Sequence, residues 1–199
     1  AMNELSNHDH SRFLTRTNGQ VGRIQSKGTE AAEEGINEAV MREAVIMQMT
    51  WPGAPTVYYG DEVGVCGWTD PDNRRTYPWG HEDKELIDFH KAAIKMHKEN
   101  EVLRTGSYKQ LYSAHNVIAY GRFTSDDAVI VVVNNGEDEI RVNIPAWETG
   151  LAMDDDVEQI MVTFEGGYST DRQGYRLKDG ILNIGLRKTS ATVLRRLRW

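Results

Sequence analysis

Two hydrophobic rhythms divide the chain. From Ile36 to Met49 the apolar residues Ile36, Val40, Met41, Ala44 and Met47 fall at helical spacing. Pro52, Gly53 and Pro55 stop that helix. Thr56-Val57-Tyr58-Tyr59 follows, β-branched and aromatic with little polar alternation, the pattern of a parallel strand covered on both faces. Glu4-Leu5-Ser6 reads as the end of a short strand, and Thr15 to about Gly35 as a polar, Gly-containing loop. A longer loop runs from Gly60 to Gly80. A second helix spans about Glu82 to Glu99, with Leu86, Phe89, Ala93 and Ile94 on one face. Its acids, Asp83 and Glu85, come early and its bases, Lys91, Lys95 and Lys98, come late, as the helix dipole favours.

After Gly106 the rhythm shortens. Asn116–Phe123, Ala128–Val133, Glu139–Ile144, Gln159–Phe164 and Thr189–Leu197 are β-rich runs. Turn signals such as Asn134-Asn135-Gly136, Gly166-Gly167 and Asp179-Gly180 separate them. This spacing suits an antiparallel sandwich. The expected organisation is therefore residues 1–104 as one unit and 105–199 as an all-β domain.

Composition narrows the partners. The formal net charge is −7, whereas nucleic-acid binders present a basic face, so no nucleic-acid partner is expected. The one basic cluster, Arg187, Lys188, Arg195, Arg196 and Arg198, alternates with apolar residues and reads as the wet face of a last strand. No run of eighteen apolar residues occurs, so no membrane partner is expected. Cys66 is alone, which gives no support to an oxidising compartment; the expected location is cytoplasmic. Met153-Asp154-Asp155-Asp156 lacks the spaced ligands of a calcium loop, and neither a metal nor a cofactor is expected.

Three blocks carry the chemistry. They are Ser6-Asn7-His8-Asp9-His10-Ser11-Arg12-Phe13, Pro52-Gly53-Ala54-Pro55-Thr56-Val57-Tyr58-Tyr59-Gly60-Asp61-Glu62, and Asp70-Pro71-Asp72-Asn73-Arg74-Arg75-Thr76-Tyr77-Pro78-Trp79. In that order they resemble the last third of the α-amylase family of glycoside hydrolases, nearest its cyclomaltodextrinase and neopullulanase branch. The resemblance covers Asn3 to Leu103; beyond that the sandwich matches only in kind, and the polar segment from Thr17 to Gly35 is longer than in many relatives. The implied fold is α+β: the last βα units of a (β/α)8 barrel followed by an antiparallel all-β sandwich, since 199 residues fall short of the roughly 250 of a complete barrel.

The resemblance also implies roles. Asp9 matches the carboxylate that stabilises the oxocarbenium-like transition state, and His8 a neighbour that binds sugar hydroxyls. Asp70 and Arg74 match residues that grip a glucosyl unit on the non-reducing side, the alternative being an internal salt bridge that braces the loop. Trp68 is a candidate stacking surface for a sugar ring, with packing inside the loop as the equal alternative. Arg12 reads as a loop brace or surface ion pair, Asp61 and Glu62 as loop braces, Tyr58 and Tyr59 as barrel filling, and Tyr77 and Trp79 as buried anchors. The family's nucleophile and acid/base come from earlier strands, so the chain by itself is expected to be inactive. The implied substrates are α-glucan oligosaccharides joined by α-1,4 or, alternatively, α-1,6 bonds. A glucan transferase or isomerase on the same fold, and a non-catalytic sugar-binding or interaction module, are the competing functions. The first hundred residues, missing neighbouring strands, are expected to pack back on the sandwich or to pair with a second copy as a homodimer.

Overall fold

A computed structural model of the chain describes residues 1–20 and 22–197, apart from the side chain of Gln25. Two parallel strands, β1 (Met2–Glu4) and β2 (Ala54–Thr56), pair in register, Asn3 opposite Pro55. Between them lie two one-turn helices, α1 (Phe13–Arg16) and α2 (Ile24–Lys27), a 3-10 turn at Glu30–Ala32, and the helix α3 (Glu38–Thr50). A second long helix, α4 (Lys84–Glu99), follows β2, and a short α5 (Glu101–Thr105) leads into the β domain. Asn37 and Asp83 start the two long helices by accepting backbone N–H bonds within the first turn.

The second strand differs from the sequence reading. It ends at Thr56, two residues after Ala54, and Val57 and Tyr59 are exposed rather than covered on both faces. β1 pairs only one of its edges, so nothing among the described residues buries that stretch. The stretch expected as a polar loop also carries α1, α2 and the 3-10 turn at Glu30–Ala32.

Among the described residues nine strands build the β region: β3 (Ser107–Ala114), β4 (Val117–Phe123), β5 (Ala128–Asn134), β6 (Ile140–Pro145), β7 (Asp156–Phe164), β8 (Gly167–Ser169), β9 (Gln173–Arg176), β10 (Ile181–Leu186) and β11 (Ser190–Arg196). Seven form one antiparallel sheet in the order β3-β4-β5-β11-β7-β8, with β9 also on β7. β6 and β10 pair separately. β5 is central and buried throughout, and its period of two serves two cores. Val129, Val131 and Val133 join Met41, Val45, Ile46, Leu86 and Phe89 of the long helices. Ala128, Ile130 and Val132 join Val142 and Ile144 of β6 and Leu182, Ile184 and Leu186 of β10. The sheet is thus the middle layer of three.

The helices therefore pack back on the sheet. Tyr120 locks the contact: its hydroxyl lies 2.5 Å from Thr50 Oγ1, and its ring meets Trp51 edge-on. Arg122, fully buried, donates to the carbonyls of Thr50 and Gly106. The strand basic residues are paired locally. Lys188 meets Glu165, Arg196 meets Asp155 and Arg195 donates to Asn100. Arg198 lies outside the described residues.

Candidate functional site

The turn between β1 and α1 is shaped by its own side chains. Asn7 Oδ1 accepts from the amides of Asp9 and His10, folding the chain into a tight polar turn. His8 and Asp9 project from it, their side chains 58% and 69% exposed, with His8 Nε2 3.4 Å from Asp9 Oδ1. Asn73, at 0% exposure, holds this turn from below. Its amide nitrogen lies 2.8 Å from the His8 and His10 carbonyls and 3.3 Å from that of Asn7.

Arg12 is the hidden centre of the platform. It is fully buried rather than at the surface. Its Nη1 donates to the Tyr59 carbonyl at 2.6 Å and to Asp61 Oδ1 at 3.0 Å, and its Nε to the Asn73 carbonyl at 2.8 Å. The guanidinium also lies over the rings of Tyr58 and Tyr59, at 4.1 and 4.8 Å. Burial pushes the Asp61 carboxyl above its usual range, against hydrogen bonding from Ser6 and the charge of Arg12. Gly60 makes the turn into this pair at φ +89°, and a side chain there would strike Val65. Glu62 accepts from the Gly60 amide, so both carboxylates brace the loop.

The Gly60–Gly80 loop carries Asp70 and Arg74 on either side of Asn73, the residue that holds the His8–Asp9 turn. A 3-10 turn at Asp72–Arg74 buries Asp72 and Asn73 and leaves Arg74 exposed. Arg74 is hydrogen-bonded to Asp70. That bond raises the Arg74 pKa, with further contributions from the charges of Asp70, Tyr58 and Asp9, so the two blocks share one electrostatic neighbourhood. Arg75 clamps the base through Asp72, Glu33 and the Thr29 carbonyl.

Of the two readings open for Trp68 the structure takes loop packing over stacking, and the Trp79 expectation is corrected. Trp68 is fully buried; its indole N–H donates to the Gly28 carbonyl, so neither ring face is open for stacking. The α2 segment covers it, and that contact is invisible locally. Trp79, expected as a buried anchor, is 78% exposed and tilted against Tyr77 at 4.4 Å. Cys66 is buried, and desolvation pushes its thiol up to about 11, which removes the thiolate needed for reactivity. Among the described residues no three His, Cys, Asp or Glu side chains converge as a metal site requires, and no helix is long and apolar enough to cross a membrane.

The arrangement is an exposed acidic and basic rim on a buried, charge-knotted base, at the ends of two parallel βα units. The chain belongs to the α-amylase family of glycoside hydrolases. Residues 1–113, more than half of the chain, match its catalytic domain. An amylopullulanase of Thermoanaerobacter thermohydrosulfuricus is 40% identical over 147 residues, covering 68% of this chain and 10% of its own length. A cyclomaltodextrinase of Thermoanaerobacter pseudethanolicus is 38% identical over 135 residues, covering 67% of this chain and 21% of its own. The chain thus spans a small part of the curated relatives it matches. An Anoxybacillus α-amylase structure superimposes on all of this chain and 38% of its own, with a TM-score of 0.78 at 24% identity. The fold is accordingly that of the last βα units of a (β/α)8 barrel followed by an antiparallel sandwich.

Proposed function

We propose that this chain is a portion of an α-glucan-active, retaining glycoside hydrolase, carrying the last barrel units and the β-sandwich. Asp9 is the carboxylate that stabilises the transition state. Such a carboxylate is worth most when it is fixed before the charge develops. The observation that carries the reading is the support under Asp9: Asn73 grips the turn from three carbonyls, and Arg12 in turn grips Asn73. His8 donates to sugar hydroxyls, while Asp70 and Arg74 hold a glucosyl unit remote from the bond being broken. The substrates are α-1,4-linked oligosaccharides, with α-1,6 bonds as the alternative. Retention calls for a nucleophile and an acid/base besides Asp9. The family draws both from earlier strands, so the chain alone is inert.

The test has two arms. A reducing-sugar assay of the 199-residue chain on starch, maltooligosaccharides and cyclodextrins should not rise above a boiled control. In a full-length parent enzyme, Asp9→Asn should lower kcat by several orders of magnitude with little change in KM, because the charge acts mainly in the transition state. A variant that keeps more than about a tenth of kcat, a loss of only ~1.4 kcal/mol, assigns Asp9 to structure. Turnover by the chain alone that disappears in Asp9→Asn contradicts the division of roles.

A further inference from the structure

Asparagine followed by glycine occurs at Asn18-Gly19 and at Asn135-Gly136. In such a pair the glycine nitrogen can attack the side-chain carbonyl carbon of the asparagine, because no Cβ shields the approach. The two pairs are held differently. Asn18 is half-buried, and both ends of its carboxamide are tied. Its Oδ1 accepts from the Gln20 amide at 2.7 Å and its Nδ2 donates to the Glu34 carbonyl at 2.6 Å. Asn135 is exposed, and its carboxamide has no hydrogen-bond partner among the described residues. The glycine amides do not separate the sites. Gly19 donates to the Arg16 carbonyl and Gly136 to Asn134 Oδ1, both at 3.1 Å. Attack at Asn135 therefore gives up one hydrogen bond, and attack at Asn18 gives up three.

The turn around Asn135 joins one end of the sandwich. The Asn135 amide donates to the Asn116 carbonyl at 2.8 Å, and the Thr189 amide to the Gly136 carbonyl at 2.9 Å. Asn134, buried beside them, donates to the carbonyls of Asp138 and Arg187. We propose that Asn135 is a site of spontaneous deamidation, a self-modification of the turn between β5 and β6. The Gly136 nitrogen bonds to Asn135 Cγ, the Cγ–Nδ2 bond breaks, and ammonia leaves with the proton that the Gly136 amide gives up. Water then opens the cyclic imide at either carbonyl, leaving aspartate or isoaspartate and one new negative charge. That charge falls in sequence just before Glu137, Asp138 and Glu139. The isoaspartyl product routes the main chain through the former side chain and displaces Gly136 from Thr189.

The full chain tests this directly. It is held at mildly alkaline pH, in buffer and in guanidinium chloride, and digested at intervals. Peptide mass spectrometry follows the gain of about 1 Da at each asparagine–glycine pair. In buffer Asn135 should convert at least about tenfold faster than Asn18, a barrier difference of ~1.4 kcal/mol. In guanidinium chloride the two rates should approach each other, because only the fold distinguishes the sites. Aspartyl and isoaspartyl peptides should both form at Asn135. Equal rates in buffer, a faster Asn18, or a preference that persists undiminished in the denaturant overturns the proposal. So does a product that is aspartate alone, the mark of direct hydrolysis without the imide.

Discussion

Arg12 and Glu43 are both buried charges on the first hundred residues, and they have opposite surroundings. Arg12 has a carboxylate, two carbonyls and two aromatic faces around it. Glu43 is 3% exposed, and its Oε1 has no hydrogen-bond partner. A buried ion is tolerated when its own chain supplies the counter-charge and the hydrogen bonds. Arg12 meets most of that condition, with Nη2 alone left unpaired, and acts as a rivet beneath an exposed rim. Glu43 does not, and its environment favours the neutral form instead. One site has its counter-charge supplied by the chain and supports the rim above it; the other has no such partner for its buried oxygen.

The comparison breaks most readily at Arg12. Arg12→Met should destabilise the chain by about 3–5 kcal/mol in urea unfolding, because Asp61 is left buried without its partner. A loss below about 1 kcal/mol would show the pair to be incidental. Asn73→Ala comes next, at roughly 2–3 kcal/mol, since three carbonyls lose their shared donor. Faster amide exchange at Asp9 and His10 should accompany it; unchanged exchange there would remove Asn73 from the support of the turn.

Glu43 sharpens the other side. Its carboxyl titrates near 8 when folded against an ordinary 4.5. Between those values the unfolded chain has released a proton that the folded chain keeps. Stability from this group is therefore full below about 4.5 and lost as pH rises through about 8, by at most ~1.4 kcal/mol per pH unit. Subtracting the profile of Glu43→Gln isolates that slope, and parallel profiles would show the carboxyl to be solvated. The smallest effect belongs to the rim. Asp70→Ala and Arg74→Ala should leave Tm unchanged, because both side chains are half exposed and their ion pair is with each other at the surface. In a parent enzyme the same changes should weaken long oligosaccharides more than short ones. Equal losses on both would return the pair to a bracing role.

Much of this was legible in the chain. The helices at Glu38–Thr50 and Lys84–Glu99 fall within two residues of their periodic patterns, and the runs at 117–123 and 128–134 are strands. β3, β8, β9 and β10 escaped, because Ser107–Ala114 is largely polar and exposed and the other three are short or interrupted by glycine. The α3 stripe was misread in one respect: Val40, Ala44 and Met47 form its half-exposed ridge, while Met41, Val45, Ile46 and Met49 carry the burial. At the site, the positions of His8, Asp9, Asp70 and Arg74 were readable from their blocks. Asn73 lay inside one of those blocks with nothing to mark it, since its partners are more than sixty residues away.

The sequence by itself determined the family, the alternation of helix and strand, and the residues placed at the rim, because motifs and periodicities are local properties of the chain. Tertiary structure decided what each face meets. It covered Trp68 with the α2 segment, left Trp79 in solvent and laid two helices on a sheet whose strands were already apolar on both sides. It also gave Arg12 a carboxylate and two carbonyls, leaving one of its nitrogens unpaired, and left Glu43 Oε1 without a partner. Burial and hydrogen-bond completion depend on groups far apart in sequence, so a charged residue can become a rivet or be left short of a partner according to what folds against it.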